Sequence, residues 1–504
     1  MKRCFDEIDP TLTNGEIVRI KEIFLKFFGR TINFKDLSWL EALSVISNGK
    51  LLAKILYKLE EPDLKLVCRV SKTVRKVCKR YQLHERFYTG KAYTFGNGND
   101  GKLGDGRTDD HKVGIPVQVQ GITEPIASIS CAEYHTGIVT DSGKAYTFGS
   151  GYNGKLGDGI TEYHEVGIPV QIEGIREPVA SISCGTYHTG IVTVSGKVYT
   201  FGNGLFGRLG NGRTDDHSVG IPVQVQGITE PVASISCGEI HTGIVTVSKK
   251  VYIFGSGKYG ILGDGITDDH DVGIPVEIQG ISVPLVSISC GEIHTGIVTV
   301  SGKAYTFGYG GDGRLGNGII EYHEVGIPVQ VQRIREPVAS ISCGGYHTGI
   351  VTNSGKAYTF GSGYDGRLGD GKKDYHYVGI PVQLQGITEP IASISCGSNH
   401  TGIVTVSGKA YTFGYASGGR LGDGRTDKHS VGIPVQIEGI PVPVKSISCG
   451  GSHTGIITMP ESSLNLDIIG CEYCKVGKVQ YFAFYDDDAK MFCNEKCQIL
   501  YHEQ

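Results

Sequence analysis

The sequence predicts a mainly β protein: a seven-bladed β-propeller of four-stranded blades, with a small helical domain before it and a short zinc module after it. Three observations carry the prediction. First, Ser-Ile-Ser-Cys recurs seven times, with its cysteines at Cys131, Cys184, Cys237, Cys290, Cys343, Cys396 and Cys449, each 53 residues after the last. A fixed period of this size marks an array whose copies are stable only when stacked. Second, apolar residues inside each copy alternate over short runs and show no helical period. Third, the array begins at Lys91-Ala-Tyr-Thr-Phe-Gly, the third strand of a unit, and ends at Ile456-Ile-Thr, the second. One blade completed from both ends is therefore expected, closing the ring and removing the free sheet edges of an open array.

Within one copy, Val179-Ala-Ser-Ile-Ser-Cys, Gly190-Ile-Val-Thr-Val and Lys197-Val-Tyr-Thr-Phe read as strands of β-branched and aromatic residues. Ser195-Gly196 marks the turn between the second and third, and recurs as Ser142-Gly143 and Ser301-Gly302. The fourth segment, Gly220-Ile-Pro-Val-Gln-Val, carries a proline that suits only an edge strand or a strand start. Glycine supplies 75 of the 504 residues, as tight loops such as Gly149-Ser-Gly-Tyr-Asn-Gly-Lys-Leu-Gly-Asp-Gly require.

The run Cys-Gly-x-x-His-Thr, Ser-Gly-Lys-x-Tyr-Thr-Phe-Gly and Gly-Arg-Leu-Gly-Asp-Gly resembles the repeat of the regulator of chromosome condensation family, over about residues 91 to 459. The resemblance implies a seven-bladed propeller. It also implies a choice of functions, because the family's founder is a nucleotide exchange factor for the small GTPase Ran and many relatives are adaptors. Fold alone does not choose between them.

Near-identical copies permit comparison within the chain. One variable window follows the cysteine and includes Tyr134, Tyr187, Ile240, Ile293 and Tyr346; a second follows Phe-Gly and includes Tyr152, Phe206, Tyr259 and Tyr364. In an up-and-down blade both loops leave the same end, so these nine residues are the expected partner-binding face, with exposed aromatics as its hot spots. Neutral drift at tolerant loops is the alternative. A third window, Arg107 to Lys112 and its counterparts, cannot be assigned to a face from sequence. Fourteen repeat histidines, His135 to His453 after the cysteines and His111 to His429 before Val-Gly-Ile-Pro, read as structural because every blade has them. The repeat cysteines read as small buried apolar residues. No nucleophile–base pair, phosphate loop or paired acid site stands out, so the chain is expected to be non-catalytic.

Residues 1–88 change character. Ile20, Ile23, Phe24 and Phe27 share one helical face, and Lys50 to Leu83 is helical in pattern, broken at Glu61-Pro62-Asp63. Within about 46–86, Lys54-Ile55-Leu56, Leu59, Asp63-Leu64 and Val70-Ser71-Lys72 resemble an F-box. Two departures are Ser47-Asn48 for the usual Leu-Pro and Val74 for the usual tryptophan. The resemblance implies docking to the Skp-type adaptor of a cullin ligase through Leu52, Ile55, Leu56, Leu59, Leu64 and Val70. A helical cap for the propeller is the plainer alternative. Eight basic residues against Glu85 between Lys65 and Arg86 would suit contact with phosphate or a membrane surface, but a solvated helix face is the preferred reading, and 48 basic against 52 acidic residues overall give no general pull toward nucleic acid.

After residue 460, Cys471-x-x-Cys474 and Cys493-x-x-x-Cys497 have the spacing of a structural zinc site. A segment this short lacks a core, so Zn2+ would supply most of its stability, about 10 kcal/mol. Disulfides are disfavoured where no secretory signal is seen. Lys490-Met-Phe-Cys-Asn-Glu-Lys-Cys resembles the second half of MYM/TRASH-type zinc modules, which implies protein binding. The expected domains are thus 1–88, 89–460 and 461–504. No apolar stretch reaches membrane-span length, so an intracellular protein in the cytoplasm or nucleus is expected. The functions expected, in order, are the substrate-recognition adaptor of a cullin-type ubiquitin ligase, an exchange factor for a small GTPase, and a chromatin or nucleic-acid scaffold.

Overall fold

The structure, a computed structural model, describes residues 90–440 and 443–459. The F-box-like residues Leu52, Ile55, Leu56, Leu59, Leu64 and Val70, and the zinc-type residues Cys471, Cys474, Cys493 and Cys497, lie outside the described residues. Within them, twenty-eight strands, β1 to β28 in chain order, form seven four-stranded antiparallel sheets. Each sheet is one blade, and the described residues form a seven-bladed propeller.

One blade represents all. β3 (Ile126–Cys131) is innermost, followed by β4 (His135–Thr140), β5 (Ala145–Ser150) and β6 (Glu165–Gln171). β4 is buried along its whole length, as a strand covered by blades on both sides must be. The proline-bearing β6 pairs only with β5 and is the outer edge, where a missing amide donor costs nothing. Its register steps from Thr147↔Val170 to Gly149↔Val166, so Gly167-Ile168-Pro169 bulges outward and bends the edge away from further pairing.

One sheet draws on both ends of the array, in the order β2 (Lys112–Gln118), β1 (Ala92–Asn97), β28 (His453–Thr458), β27 (Val444–Cys449). β1 meets β28 over Ala92↔Ile457 to Gly96↔His453, the register that β5 and β4 keep within one blade, from Ala145↔Val139 to Gly149↔His135.

Neighbouring blades are joined in three ways. Phe95, Phe148, Phe201, Phe254, Phe307, Phe360 and Phe413 are the largest fully buried side chains, each contributing about 1.5–3 kcal/mol of apolar burial. A Cβ on Gly137 would come within 2.6 Å of Ile182 and 2.7 Å of the Cys184 sulfur, so glycine on the second strand is what lets the next inner strand approach. Polar links run the full circle: the Cys184 amide donates to Ser130 Oγ at 2.9 Å, and the Cys131 amide to Ser448 Oγ at 2.8 Å.

The buried histidines form the third link. His135 Nε2 bonds Thr189 Oγ1 at 2.7 Å, the contact repeats from blade to blade, and His453 to Thr136 closes the ring at 2.7 Å. Each threonine hydroxyl donates its only proton to a backbone carbonyl, as Thr136 does to Lys102 at 2.9 Å. The imidazole must therefore donate from Nε2, which leaves Nδ1 unprotonated. All seven of these Nδ1 atoms are buried without a hydrogen-bond partner. The second set braces a loop: His111 Nδ1 meets the Asp109 carbonyl and Nε2 meets the Asp105 carboxylate, each at 2.8 Å.

Candidate partner-binding face

The loop between the first two strands of a blade and the loop between its last two leave the same end of the propeller. Each third strand runs into a single 3-10 turn, Asn99–Gly101 in one blade and Leu205–Gly207 in another. The middle residue of that turn holds a left-handed backbone: Asp100 at φ 61°, Asn153 at 64°, Phe206 at 66°, Tyr259 at 64°, Asp312 at 64° and Asp365 at 59°. Asp and Asn tolerate this conformation, whereas a bulky aromatic there is a costly choice of about 1–2 kcal/mol. Phe206 and Tyr259 are thus held in strained positions at this end, a pattern associated with functional loops.

Beside the turn, six repeats place a cation where the fourth places Ile261: Lys102, Lys155, Arg208, Arg314, Arg367 and Arg420, all buried. The arginines staple the two loops together. Arg208 donates from Nε to the Leu205 carbonyl at 2.8 Å and from Nη1 to the Glu239 carbonyl of the next blade at 3.0 Å. Arg314, Arg367 and Arg420 repeat this with Gly345, Ser398 and Gly451. Aromatic rings stack on the cations, with Arg208 lying 5.3 Å from the Tyr187 ring and 5.4 Å from Phe206, and Arg314 4.7 Å from Tyr309. Burial lowers the Arg208 guanidinium to about 10 and the Lys155 ammonium to about 8, with Tyr187 and Asp100 opposing these shifts respectively.

The third window belongs to this same face. The Tyr163 hydroxyl donates to Glu165 at 2.5 Å and lies 3.1 Å from an Asp100 carboxylate oxygen of the preceding blade. Tyr322 sits edge-on to Tyr309 at 5.5 Å, and Tyr375 to Tyr364 at 5.7 Å. The central shaft opens among these loops, lined by the seven repeat cysteines together with Glu133, Glu239 and Glu292. Burial raises the Glu239 and Glu292 carboxyls, and the Ser398 hydroxyl, from two blades on, donates to Glu292 at 2.9 Å. The shaft thiols are not nucleophilic, since burial pushes Cys131, Cys237 and Cys343 up to about 12. Among the described residues no histidine, cysteine and carboxylate cluster has the arrangement of a metal site.

All nine sequence-predicted residues lie at this end, with unequal exposure. Tyr152 is 54% exposed, Tyr364 46% and Tyr346 41%. Tyr134, Tyr187, Phe206, Ile240, Tyr259 and Ile293 are half-buried. For Phe206 and Tyr259 this corrects the expectation of free loop side chains: Arg208 underlies Phe206, and Tyr259 is sandwiched by Lys258 at 4.9 Å and Tyr309 at 5.4 Å. Sequence reasoning missed the most exposed rings, Tyr163, Tyr322 and Tyr375 at 58–66%. It also missed the cation ring, whose signal was present in the Lys or Arg before Leu-Gly in six of the seven repeats. At the opposite end the hairpin turns are nearly constant, pairing Lys197 with Glu177 and Lys409 with Glu389, and exposing Val194, Val247, Val300 and Val406.

Comparison with known proteins agrees with this geometry. An RCC1-like domain matches residues 84–348, and the regulator of chromosome condensation (RCC1) repeat matches 338–367, 354–404 and 407–457. The ultraviolet-B receptor UVR8 of Arabidopsis thaliana is 32% identical over 338 residues, covering 66% of this chain and 74% of the receptor. The E3 ubiquitin-protein ligase HERC2 of Homo sapiens is 30% identical over 374 residues, which are 73% of this chain and 8% of the ligase. The X-linked retinitis pigmentosa GTPase regulator of Homo sapiens is 30% identical over 68% of this chain and 33% of its own length. The chain thus spans most of some relatives and a minor part of others. Prp20p of Saccharomyces cerevisiae shares the fold, with a TM-score of 0.66 at 19% identity over 77% of this chain and 96% of Prp20p. With seven blades of one repeat and these matches, the chain belongs to the regulator of chromosome condensation (RCC1) repeat family.

Proposed function

We propose that the protein is a non-catalytic binding subunit whose variable-loop face docks a protein partner, and that it serves as the substrate-recognition adaptor of a cullin-type ubiquitin ligase. The observation that carries the docking reading is the pairing of variability with construction. The loops that differ between blades are the ones that hold exposed tyrosines against buried cations, the residue types that dominate binding energy at protein interfaces. The adaptor reading rests on the F-box-like residues Leu52, Ile55, Leu56, Leu59, Leu64 and Val70, with a Skp-type adaptor and cullin as partners. The Cys471, Cys474, Cys493 and Cys497 set would hold a structural Zn2+ and add a protein contact.

A second reading, regulation of a small GTPase, draws on relatives: one is named a GTPase regulator, and Prp20p binds Gsp1p and histones. The constant 53-residue spacing weighs against it, because no blade carries an inserted projection to pry a GTPase open. Co-purification of the full chain beside a Leu64→Asp, Val70→Asp variant tests the adaptor role. Recovery of Skp-type adaptor and cullin by the parent and not by the variant supports it. Absence from both, with accelerated nucleotide release from a small GTPase, replaces it with the second reading.

A further inference from the structure

Lys155 breaks the pattern of the cation ring. Lys102, its counterpart one repeat earlier, donates from Nζ to the Glu133 carbonyl at 3.3 Å and to Ser452 Oγ at 2.8 Å. The four arginines each reach the carbonyl 31 residues on, in the next blade. The corresponding acceptor for Lys155 is the Thr186 carbonyl, and no described hydrogen bond or ion pair joins them. Where Lys102 has Ser452, Lys155 has the ring of Tyr134, whose centroid lies 4.8 Å from its Nζ. Lys155 is 3% exposed, so it is a buried ammonium with a ring face beside it and Asp100 as the carboxylate that partly offsets its desolvation. A charge this poorly hydrated and without a protein acceptor gains more from an incoming anion than an exposed lysine does.

The ammonium faces a pocket of about 610 Å³ lined by Asp100, Tyr134, Tyr152, Tyr163, Tyr187 and Arg208, among others. Asp100 offsets one of the two cations, Lys155 and Arg208, so the lining carries one net positive charge. Arg208 has two of its donors engaged by carbonyls, leaving Lys155 as the main vacant donor. A single carboxylate matches that charge, whereas a dianionic phosphate would exceed it against Asp100. The tyrosine walls favour aromatic or branched apolar neighbours beside the acid.

We propose that this pocket receives an aspartate or glutamate side chain of the protein partner, flanked by apolar residues, with Lys155 as its hydrogen-bonding anchor. The proposal deepens the docking reading and rests on it. Pairing restores the charged ammonium, which otherwise titrates near 8, so binding should take up a proton and weaken about tenfold from pH 7 to pH 9. The tyrosines around it do not blur this: burial raises Tyr134 and Tyr187, and the hydrogen bond to Glu165 raises Tyr163.

The test pans a random dodecapeptide phage library on the full chain and measures the selected peptides by fluorescence anisotropy. Selected peptides should carry Asp or Glu beside an aromatic or branched residue. Changing that acid to its amide, or Lys155→Met in the protein, should each weaken binding at least tenfold. Lys155→Arg, which installs the residue of four sister repeats and allows the bond to Thr186, should stay folded, bind more weakly and lose the pH dependence. Neutral or basic consensus peptides, equal binding to a folded Lys155→Met variant, or displacement by inorganic phosphate at millimolar concentration would each overturn the proposal. The two readings separate cleanly. If Tyr364→Ala, across the ring, loses the native partner while selected peptides ignore Lys155, this inference fails and the docking face stands. If peptides depend on Lys155 but the native partner ignores every face variant, the pocket stands and the docking reading fails.

Discussion

Lowering the pH should unfold the propeller through its histidine ring. Seven imidazoles, His135, His188, His241, His294, His347, His400 and His453, are fully buried in the neutral form. Each donates from Nε2 to a threonine of the next blade, which leaves Nδ1 as the only place for a second proton, in a site with no acceptor. Burial therefore drives each one below its ordinary value, with His241 lowered to about 3, and the nearby Arg208 acts in the same direction. A base whose folded pKa is depressed stabilises the fold fully above its unfolded pKa, about 6.5, and that stability is lost as pH falls below it. Each ring histidine then costs about 1.4 kcal/mol per pH unit, and seven together cost up to about 10 kcal/mol per pH unit. Two kinds of group oppose this. His270 is lowered by burial but raised overall by the Asp268 carbonyl and the Asp264 carboxylate, and the buried Glu239 and Glu292 are relieved by protonation. Even half the ceiling consumes a typical stability of 5–15 kcal/mol within one to three pH units. Urea unfolding of the full chain from pH 7.5 to 5, followed by near-ultraviolet circular dichroism, should show a steep loss of stability below pH 6.5. His188→Gln keeps an N–H donor without a titrating ring, so it should shallow the slope by about 1.4 kcal/mol per pH unit. A flat profile down to pH 5, or an unchanged slope in the glutamine variant, would refute the neutral Nε2–H assignment.

Three further outcomes follow from the packing. Gly149→Ala should destabilise by about 2 kcal/mol or more in the same urea experiment, since Gly149 holds φ 117° and a Cβ there would lie 2.6 Å from the Tyr134 carbonyl oxygen. Phe254→Ala should cost about 3–5 kcal/mol by equilibrium unfolding, because the ring is completely buried between blades. The seven repeat cysteines should resist iodoacetamide in the native protein and react only after denaturation, as peptide mass spectrometry would read directly; burial raises their thiols and leaves little thiolate.

The fold was legible where one residue carries its own constraint. The 53-residue interval gave the blade count, and β-branched alternation gave the strands. Pro169 and its counterparts marked the edge strand because a proline cannot donate to a ladder. The face was legible only in part. Repeat comparison found the two variable windows, but it could not separate an exposed Tyr152 from a half-buried Phe206, since the difference lies in whether a cation from the same loop sits beneath the ring. Arg208 works through a carbonyl 31 residues away and in another blade, which no local pattern encodes. The third window was undecided for the same reason: Tyr163 lies against Asp100, a residue of the preceding repeat. Lys155 became informative only when its missing acceptor could be set beside the bonds made by Lys102 and the four arginines.

The central claim is that a protein partner docks on the variable-loop face. The most direct measurement places a photo-cross-linking phenylalanine analogue at Tyr364 on that face and, separately, at Val247 on the opposite end, within the full chain expressed in its native cells. One or a few discrete cross-linked proteins are expected from position 364, and none of them from position 247. The same products from both positions, or discrete products from position 247 alone, would contradict it.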